Sequence, residues 1–533
     1  MNARLASIAA LAGVSLIAQQ VFADTASMPA TTRAPTTEAS ATAPQGASSG
    51  ESVDRRARAE SPQPASIGEV FIGRTAKRHG DTGLPPPDAR VAAAAAHDHP
   101  VDAQVARGAY LARAGDCIAC HTSKNGVPFA GGLAIGSPLG TIYSTNITPD
   151  KETGIGNWTF ADFAKLMRRG EVKSGYVVYP AMPYPSYSRL TDTDLRDLYA
   201  YLLKGVPAAH QPNRGNAIPW PLSMRWPLKA WRALFAPDPQ PFAPAQHMSR
   251  QMARGAYLVE GLGHCGACHT PRSITLQEKA LSDREGTLFL SGGGAIDGWI
   301  APSLRNEHAD GLATWSNQEI VQFLRTGRTE RTAAFGAMND VIVDSLQYMT
   351  DDDLVAMAVY LQSLKPHKPN ASKYAYDVKI ADQLYHGHPA DEGARIYMDR
   401  CAACHRSNGT GYGKAFPALA GNPILQTSNP TSAIHIVLAG SAQPGTQVAP
   451  SSLTMAPYAK LLSDAEVASV VTFIQTSWGN HGGPATASDV TKMRKSAEPV
   501  EAAGFPAPMQ RELKRAEPGH SAQPVASGVG SGE

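Results

Sequence analysis

All six cysteines of the chain fall in one short motif that occurs three times. Each copy has the form Cys-x-x-Cys-His. The copies consist of Cys117, Cys120 and His121, of Cys265, Cys268 and His269, and of Cys401, Cys404 and His405. This motif is the attachment signature of c-type haem. Two thiols form thioethers with the haem vinyl groups, and the adjacent imidazole reaches the iron. Three copies therefore predict three covalently bound haem c groups, attached by the cysteines and ligated by the histidines.

Two other chemistries also use Cys-x-x-Cys pairs. A structural zinc site would combine two pairs, so three pairs would leave one over, and zinc does not require a histidine after every pair. A thioredoxin-like redox pair is plausible for one copy but not for three. Haem attachment is the interpretation that uses all three copies and their histidines.

A second axial ligand is predicted from methionine, because thioether sulfur is a soft ligand that stabilises reduced iron. One methionine stands before the closing helix of each repeat. These are Met182, Met338 and Met455, which follow the motif histidines by 61, 69 and 50 residues. Met349 is the rival in the second repeat. It aligns with Leu190 and Leu462, however, and is therefore predicted to be a core residue.

Two helices are predicted to frame each motif. The helix before it contains Arg-Gly-Ala-Tyr-Leu at 107–111 and at 254–258, and a looser version at 393–397. The closing helix starts at Thr191, Thr350 or Ser463, each followed three residues later by an acid that completes a capping pattern. Apolar residues then recur at helical spacing. They are Leu195, Leu198, Tyr199 and Leu202; Leu354, Met357, Ala358 and Leu361; and Val467, Val470, Val471 and Ile474.

The fold class predicted from these repeats is mainly α, with three tandem cytochrome c domains and disordered N- and C-terminal extensions. The spacing between copies is too long for a solenoid. The predicted segments are a signal peptide (1–23), a disordered Ala/Thr/Pro-rich linker (24–103), domain 1 (104–205), a Trp/Pro-rich connector (206–247), domain 2 (248–366), a linker (367–387), domain 3 (388–480) and a disordered tail (481–533).

Charge and hydropathy exclude some classes of protein. The 533 residues include 48 Lys and Arg and 46 Asp and Glu, a net charge of +2. Nucleic-acid-binding modules usually carry a strong basic excess, so no nucleic-acid partner is expected. No apolar run approaches the length of a membrane span, which argues against an integral transporter. Residues 1–23 have the basic start, apolar centre and small-residue end of a secretory signal, so export is predicted.

These residues resemble the tri-haem cytochrome c subunit of bacterial membrane-bound dehydrogenases of the alcohol, gluconate and polyol type. The resemblance covers 104–480 and rests on the three motifs and on stretches at 140–149, 179–185, 220–226 and 477–480. It implies a periplasmic subunit, peripheral to the cytoplasmic membrane. Such a subunit takes electrons from a large dehydrogenase subunit carrying flavin or pyrroloquinoline quinone and passes them to ubiquinone. The chain departs from the family at Met455-Ala-Pro457, where Met-Pro is more usual.

The connector concentrates aromatic and basic residues. Trp220, Trp226, Trp231 and Phe235 stand among Arg225, Lys229 and Arg232. This combination suits a membrane interface. A connector packed on a haem domain would have the same composition, and the sequence alone leaves both interpretations open.

Electron transfer without a substrate site is the function that these features favour. A haem peroxidase needs an open iron position, whereas three methionines are available here to close all three. A multihaem cytochrome serving a terminal oxidase or another respiratory complex is the remaining alternative. The sequence has no flavin or nucleotide fingerprint, so dehydrogenase activity is not expected from this chain alone.

Overall fold

The computed structural model describes residues 103–497. The predicted signal peptide, nearly all of the 24–103 extension and residues 498–533 lie outside this part of the chain. Between 103 and 497 the regular secondary structure is helical apart from three short antiparallel hairpins, so the mainly α prediction is confirmed. None of the helices in that range combines the length and apolar character that crossing a membrane requires.

The first repeat places two long helices around short elements. Its elements, in order, are α1 (Ala103–Ala114), α2 (Cys117–Cys120), β1 (Ala134–Ile135), β2 (Ile142–Tyr143), α3 (Phe160–Arg169), α4 (Tyr184–Tyr187) and α5 (Asp192–Lys204). α3 begins with a complete capping box between Thr159 and Asp162 and ends at Gly170. The connector that follows contains α6 (Trp226–Phe235).

The second repeat has the same order of elements with two π-helical insertions. It contains α7 (Arg250–Tyr257), a π-helix (Leu258–Leu262), α8 (Gly266–His269), a 3₁₀ turn (Asp283–Glu285), β3 (Ala295–Ile296), β4 (Trp299–Ile300), α9 (Asn317–Thr326), α10 (Ala337–Asp340), a π-helix (Val341–Ser345), a 3₁₀ turn (Leu346–Tyr348) and α11 (Asp351–Ser363). The first π-helix has a cause in the sequence. Arg254 precedes Cys265 by one residue more than Arg107 precedes Cys117, and a π turn takes up one extra residue.

The third repeat is shorter and has helices on both sides of it. Its elements are α12 (Val378–Tyr385), α13 (Glu392–Arg400), α14 (Ala402–His405), a 3₁₀ turn (Pro423–Gln426), α15 (Thr431–Ala439), β5 (Ser441–Ala442), β6 (Thr454–Met455), α16 (Asp464–Thr476) and α17 (Ala487–Arg494).

Two of these helices correct the predicted boundaries. α12 lies in the segment predicted as a linker, and α17 lies in the segment predicted as a disordered tail. Leu384 of α12 and Val490 of α17 are both buried in the core of the third repeat. Thr486 and Asp489 form a capping box at the start of α17. The segment after 480 is poor in large apolar residues, but both segments supply apolar residues to the third core.

The helices that frame each motif cross at a glycine. A Cβ atom added at Gly108 would lie 1.9 Å from the Asp197 carbonyl oxygen of α5, and one at Gly255 would lie 1.9 Å from that of Ala356. At Gly393 the same atom would lie 2.3 Å from the Ser469 carbonyl oxygen. Only glycine allows so close an approach, which explains why it recurs in the opening helix of every repeat.

The predicted apolar stripes of the closing helices are confirmed. Every stripe residue of α5, α11 and α16 is buried, except Tyr199, which is half-buried. The stripes of α5 and α11 belong to one continuous core that the first two repeats share. The stripe of α16 belongs to a second core, built almost entirely from the third repeat. The first two repeats therefore share one core, and the third repeat has a core of its own.

Reciprocal hydrogen bonds join the first two repeats. The Tyr110 hydroxyl donates to Asp353 at 2.5 Å, and the Tyr257 hydroxyl donates to Asp194 at 2.5 Å. Each acceptor also binds the arginine of its own repeat's opening helix: Arg107 lies 2.5 Å from Asp194, and Arg254 lies 2.7 Å from Asp353. Asp194 and Asp353 occupy the third position of α5 and α11, where an acid can complete a capping box by accepting from the backbone N–H at the helix start. Here they instead accept hydrogen bonds from the tyrosine of the other repeat.

Candidate haem-binding sites

Each Cys-x-x-Cys-His motif forms a short helix that follows directly on the opening helix of its repeat. α2, α8 and α14 carry the motifs. All six thiols are free; the first cysteine of each pair is half-buried and the second is exposed. Free thiols at this spacing are what thioether attachment requires.

Each motif histidine uses Nδ1 in the same way. Nδ1 of His121 lies 2.7 Å from the carbonyl oxygen of Thr145, and Nδ1 of His269 lies 2.8 Å from that of Pro302. In the third repeat, Nδ1 of His405 lies 3.0 Å from the Pro417 carbonyl oxygen. A carbonyl oxygen only accepts, so Nδ1 carries the proton in each ring. Nε2 is left with its lone pair, as a metal-ligating imidazole needs.

The main chain of each histidine is held by a glycine. The His121 carbonyl oxygen accepts from the Gly131 N–H at 2.7 Å, and the His269 carbonyl oxygen accepts from the Gly292 N–H at 2.9 Å. The His405 carbonyl oxygen accepts from the Gly411 N–H at 3.0 Å. Ring and backbone are thus both held, which sets the direction of Nε2 before any metal is bound.

The carbonyl partners of the histidines are site residues that the sequence did not reveal. Thr145, Pro302 and Pro417 differ in type and follow their histidines by 24, 33 and 12 residues. Each stands two positions before an isoleucine or leucine, a weak pattern that appears only when the three loops are aligned on the structure.

Burial lowers the pKa of His121, His269 and His405, and the bond to a carbonyl oxygen offsets only part of this effect. The three rings are therefore neutral at neutral pH, the state in which imidazole binds iron. Two free thiols and one neutral, oriented imidazole in each repeat fit a covalently attached haem c. When bound, haem supplies a one-electron Fe(III)/Fe(II) couple.

Met182 lies in a loop held by two tyrosines. Its N–H donates to the Tyr179 carbonyl oxygen at 3.2 Å, and its own carbonyl oxygen accepts from the Tyr184 N–H at 2.8 Å. Tyr184 is fully buried against Gly170. The Met182 side chain is half-buried and packs against the shared core.

Met338 lies at the start of α10, next to Gly336, whose φ is 57° and whose Cα faces the ring of Trp299. Its side chain is half-buried, as that of Met182 is. Met349, the rival in this repeat, is only 4% exposed and packs inside the shared core. Met349 is therefore a core residue, as its alignment with the buried Leu190 and Leu462 predicts.

Met455 lies in strand β6, which pairs with β5 so that Met455 stands opposite Ser441. Its side chain is half-buried and packs against the third core. Met182 thus lies in a loop, Met338 in a one-turn helix and Met455 in a short strand, each with a partly accessible side chain. Their role as axial ligands stays a prediction.

The arrangement of titratable groups bears on the zinc interpretation. Among residues 103–497, no three or more His, Cys, Asp or Glu side chains come together as a group that could hold a metal ion. Each cysteine pair stands with its own histidine in its own repeat.

The first two candidate sites adjoin each other. Arg113, at the end of α1, donates to the Asp344 carbonyl oxygen at 3.0 Å and stacks over the Tyr348 ring at 4.3 Å. Asp116, the residue before Cys117, is buried. Burial and the neighbouring Asp344 and Asp340 raise its pKa to about 8. The segment that leads into the first motif therefore touches the segment that follows Met338.

The connector divides into a packed part and an exposed part. Trp231 packs inward: its Nε1–H donates to the Thr275 carbonyl oxygen at 2.7 Å, and its ring meets those of Tyr184 and Phe235. Trp220 is 78% exposed and Trp226 is 62% exposed. The part around Trp231 is thus a packed connector, whereas the part around Trp220 and Trp226 has the exposure that a membrane interface would need.

A helical unit that carries Cys-x-x-Cys-His, with the ring of the motif histidine bound to a backbone carbonyl oxygen, defines a c-type cytochrome. The family model for cytochrome c matches residues 105–205 and 390–478.

Relatives that align with about three quarters of this chain narrow the class of c-type cytochrome. The chain is 52% identical over 405 residues to the cytochrome c subunit of alcohol dehydrogenase (quinone) from Gluconacetobacter polyoxogenes, covering 76% of this chain and 86% of that subunit. It is 52% identical over 413 residues to the gluconate 2-dehydrogenase cytochrome c subunit of Pantoea cypripedii, covering 77% and 93%. It is 34% identical over 427 residues to the fructose dehydrogenase cytochrome subunit of Gluconobacter japonicus, covering 76% and 85%. The chain belongs to the family of dehydrogenase cytochrome c subunits, a family of electron-transfer proteins with covalent haem c.

Proposed function

We propose that this chain carries three covalent haems and passes electrons from a dehydrogenase partner to ubiquinone at the periplasmic side of the cytoplasmic membrane. The partner is a large subunit that carries flavin or pyrroloquinoline quinone and oxidises an alcohol, sugar acid or polyol. One observation carries the proposal. The same set of two free thiols and a histidine whose Nδ1 donates to a carbonyl oxygen occurs in all three repeats.

The axial ligands proposed for the three irons are His121 with Met182, His269 with Met338, and His405 with Met455. The protein's part is to keep each imidazole neutral and directed, and to hold each methionine in an anchored segment. The burial of Met349 supports Met338 as the ligand in the second repeat.

The exposed part of the connector supports attachment to a membrane surface. Trp220, Leu222, Met224, Trp226 and Leu234 are exposed large apolar residues within fifteen positions of one another. Exposed tryptophans beside a cation such as Lys229 are typical of interfacial anchors.

This segment is also tied to the Met182 loop. The Tyr179 hydroxyl donates to the Leu222 carbonyl oxygen at 3.1 Å, and Arg225 stacks over the Tyr179 ring at 4.2 Å. The exposed tryptophans would thus bring the first-repeat site close to the membrane, where ubiquinone resides.

Haem number is tested on the chain expressed with a periplasmic haem-attachment system. Haem that survives denaturation should amount to three per polypeptide, and serine in place of Cys401 and Cys404 should lower the ratio to two. A ratio of two or fewer in the parent chain would contradict the proposal.

Electron transfer is tested with the assembled complex. The chain alone should oxidise no alcohol, sugar acid or polyol, whereas co-expression with its dehydrogenase subunit should give substrate-dependent ubiquinone reduction in membranes. Substrate oxidation that reduces the haems but never ubiquinone would favour a different electron acceptor.

Membrane attachment is tested with Trp220→Ala combined with Trp226→Ala. We expect the double variant to leave the membrane fraction while keeping all its haem, because the exposed rings are lost and no core contact is broken. Tyr385→Ala is the control, since Tyr385 is 79% exposed but lies in α12 of the third repeat. Full membrane retention of the double variant would contradict an anchoring role.

A further inference from the structure

The third repeat has an open surface where the first two repeats pair with each other. We call it the α13/α16 face. A cleft of about 210 Å³ lies there. Its lining includes Glu392, Arg395, Ile396, Leu461, Leu462 and Glu466. In the first two repeats, the corresponding positions of the opening and closing helices carry the reciprocal tyrosine–aspartate bonds.

Alignment on the crossing glycines shows what the third repeat has changed. The arginine before the glycine, Arg107 or Arg254, becomes Glu392. The tyrosine two positions after it, Tyr110 or Tyr257, becomes Arg395. The acid at the third position of the closing helix is kept, as Glu466. The hydrogen-bond donor at this position is thus a cation, Arg395, in place of a tyrosine. The acceptor position still holds an acid, Glu466.

Within its own repeat, Arg395 makes only a surface contact. It pairs with Glu392 one turn earlier on α13, and both side chains are more than half exposed. Glu466 completes the capping box with Ser463. Neither contact buries the face, whereas Asp194 and Asp353 in the paired repeats are only 3% and 7% exposed.

We propose that the α13/α16 face is a self-association surface through which two copies of this chain pair in the arrangement that the first two repeats use within one chain. Arg395 of each copy then takes the place of Tyr110 or Tyr257 and binds Glu466 of the other copy. The contact is isologous, because the donor and the acceptor lie on the same face. Ile396, Leu461 and Leu462 line the cleft beneath these ion pairs.

Charge complementarity and the internal template favour a second copy as the occupant. The cleft is lined by two cations, Arg395 and Arg400, and by three acids, Glu392, Asp399 and Glu466. Arg395 and Glu466 occupy the positions that match each other across a two-fold axis, so the face is complementary to itself. The competing occupant is the chain beyond 497. α17 brings that segment near the face, since Arg494 donates to the Leu462 carbonyl oxygen at 2.9 Å.

The test measures the mass of the full-length, haem-loaded chain in detergent by sedimentation velocity over a range of concentrations. The parent should be a dimer. Arg395→Glu and Glu466→Arg should each raise the dimer dissociation constant roughly tenfold or more, because like charges then face each other twice in each dimer. Lys379→Glu in α12 is the control and should remain dimeric.

Mixing the two single variants makes the test specific. In the mixed pair, the glutamate introduced by Arg395→Glu in one copy faces the arginine introduced by Glu466→Arg in the other. At the second contact, the unaltered Arg395 and Glu466 still face each other, so both ion pairs are restored. The mixture and the double variant should therefore dimerise as the parent does. Haem content and helical circular dichroism verify that each variant is folded.

Any of four results would overturn the proposal. These are a monomeric parent at every concentration, single variants that dimerise like the parent, a mixture that stays monomeric, and loss of the dimer in Lys379→Glu. A chain ending at 497 that dimerises while the full chain is monomeric would assign the face to the C-terminal segment instead.

Discussion

The two junctions between repeats differ in what they hold together. The first and second repeats share one core and exchange buried tyrosine–aspartate bonds between their long helices. The second and third repeats meet through short strands and helices: Trp299 of β4 stacks on His435 of α15 at 3.9 Å and 13°, and Asn339 of α10 donates to the Ala442 carbonyl oxygen of β5 at 2.8 Å. One junction positions whole repeats, and the other ties together segments that stand next to candidate ligands.

The junction between the second and third repeats passes close to two proposed axial methionines. Asn339 follows Met338 directly, and its acceptor Ala442 belongs to β5, the strand that pairs with the Met455 strand. Trp299 also packs against Gly336, two residues before Met338. A disturbance here reaches ligand loops, whereas a disturbance at the helical junction reaches the shared core. We therefore expect substitutions at the helical junction to lower stability and substitutions at the other junction to alter haem ligation.

Arg254→Ala should have the largest effect on stability. It removes the cation that faces the buried Asp353, and breaking a buried pair from one side costs about 3 kcal/mol of unfolding free energy. Denaturant unfolding of the haem-loaded chain measures this loss. Asp351 lies on α11 with Asp353 and forms an exposed ion pair with Arg325. Asp351→Ala removes only this pair and should cost less than about 1 kcal/mol of unfolding free energy. Equal losses in the two variants would mean that the reciprocal bonds do not stabilise the first junction.

Met349→Ala and Met338→Ala should separate the core from the ligand loop. Met349 is buried in the shared core, so its truncation should cost about 2–3 kcal/mol while every haem keeps its spin state. Met338→Ala should turn one haem high-spin and lower its potential, because a soft ligand is lost. Absorption spectra and redox titration distinguish the two. If the spectral change follows Met349→Ala instead, the assignment of Met338 is wrong.

Trp299→Ala should weaken the junction between the second and third repeats. The ring stacks on His435 and is half-buried, so we expect a loss of about 2 kcal/mol, less than for a fully buried ring. The more telling result is spectral: the methionine–iron charge-transfer band of one haem should weaken, because the Met338 loop loses its support. Trp299→Phe keeps a ring and should restore most of the band. An unchanged band in Trp299→Ala would limit this junction to a structural role.

Acid should loosen the helical junction by a smaller amount. Burial alone would raise the pKa of Asp353, but hydrogen bonds from Arg254 and Tyr110 outweigh it and hold the pKa below its ordinary value. A lowered folded-state pKa stabilises the fold fully above the unfolded value of about 4 and is lost as pH falls through the folded value. We expect the free energy of unfolding to fall below pH 4, with Asp353→Asn showing a flatter dependence. Equal pH slopes for the parent and Asp353→Asn would contradict this.

Features set by neighbouring residues could be predicted from the sequence. The Cys-x-x-Cys-His motifs, the capping residues of the closing helices and their apolar stripes all lie within one or two helical turns. The helix α17 could not be predicted in this way. Its residues are mostly small or polar, and its stability comes from Val490 fitting a core whose other members lie elsewhere in the chain.

The sequence by itself determined the chemistry at each motif, because attachment needs only two thiols and an imidazole at a set local spacing. The tertiary structure decided which carbonyl oxygen orients each imidazole, since Thr145, Pro302 and Pro417 reach their histidines through loops of unequal length. It also decided that Asp194 and Asp353 join two repeats while Glu466 caps its own helix. The pattern around these acids is the same in all three repeats. What differs is the residue that helix packing brings opposite them, and local spacing does not encode that.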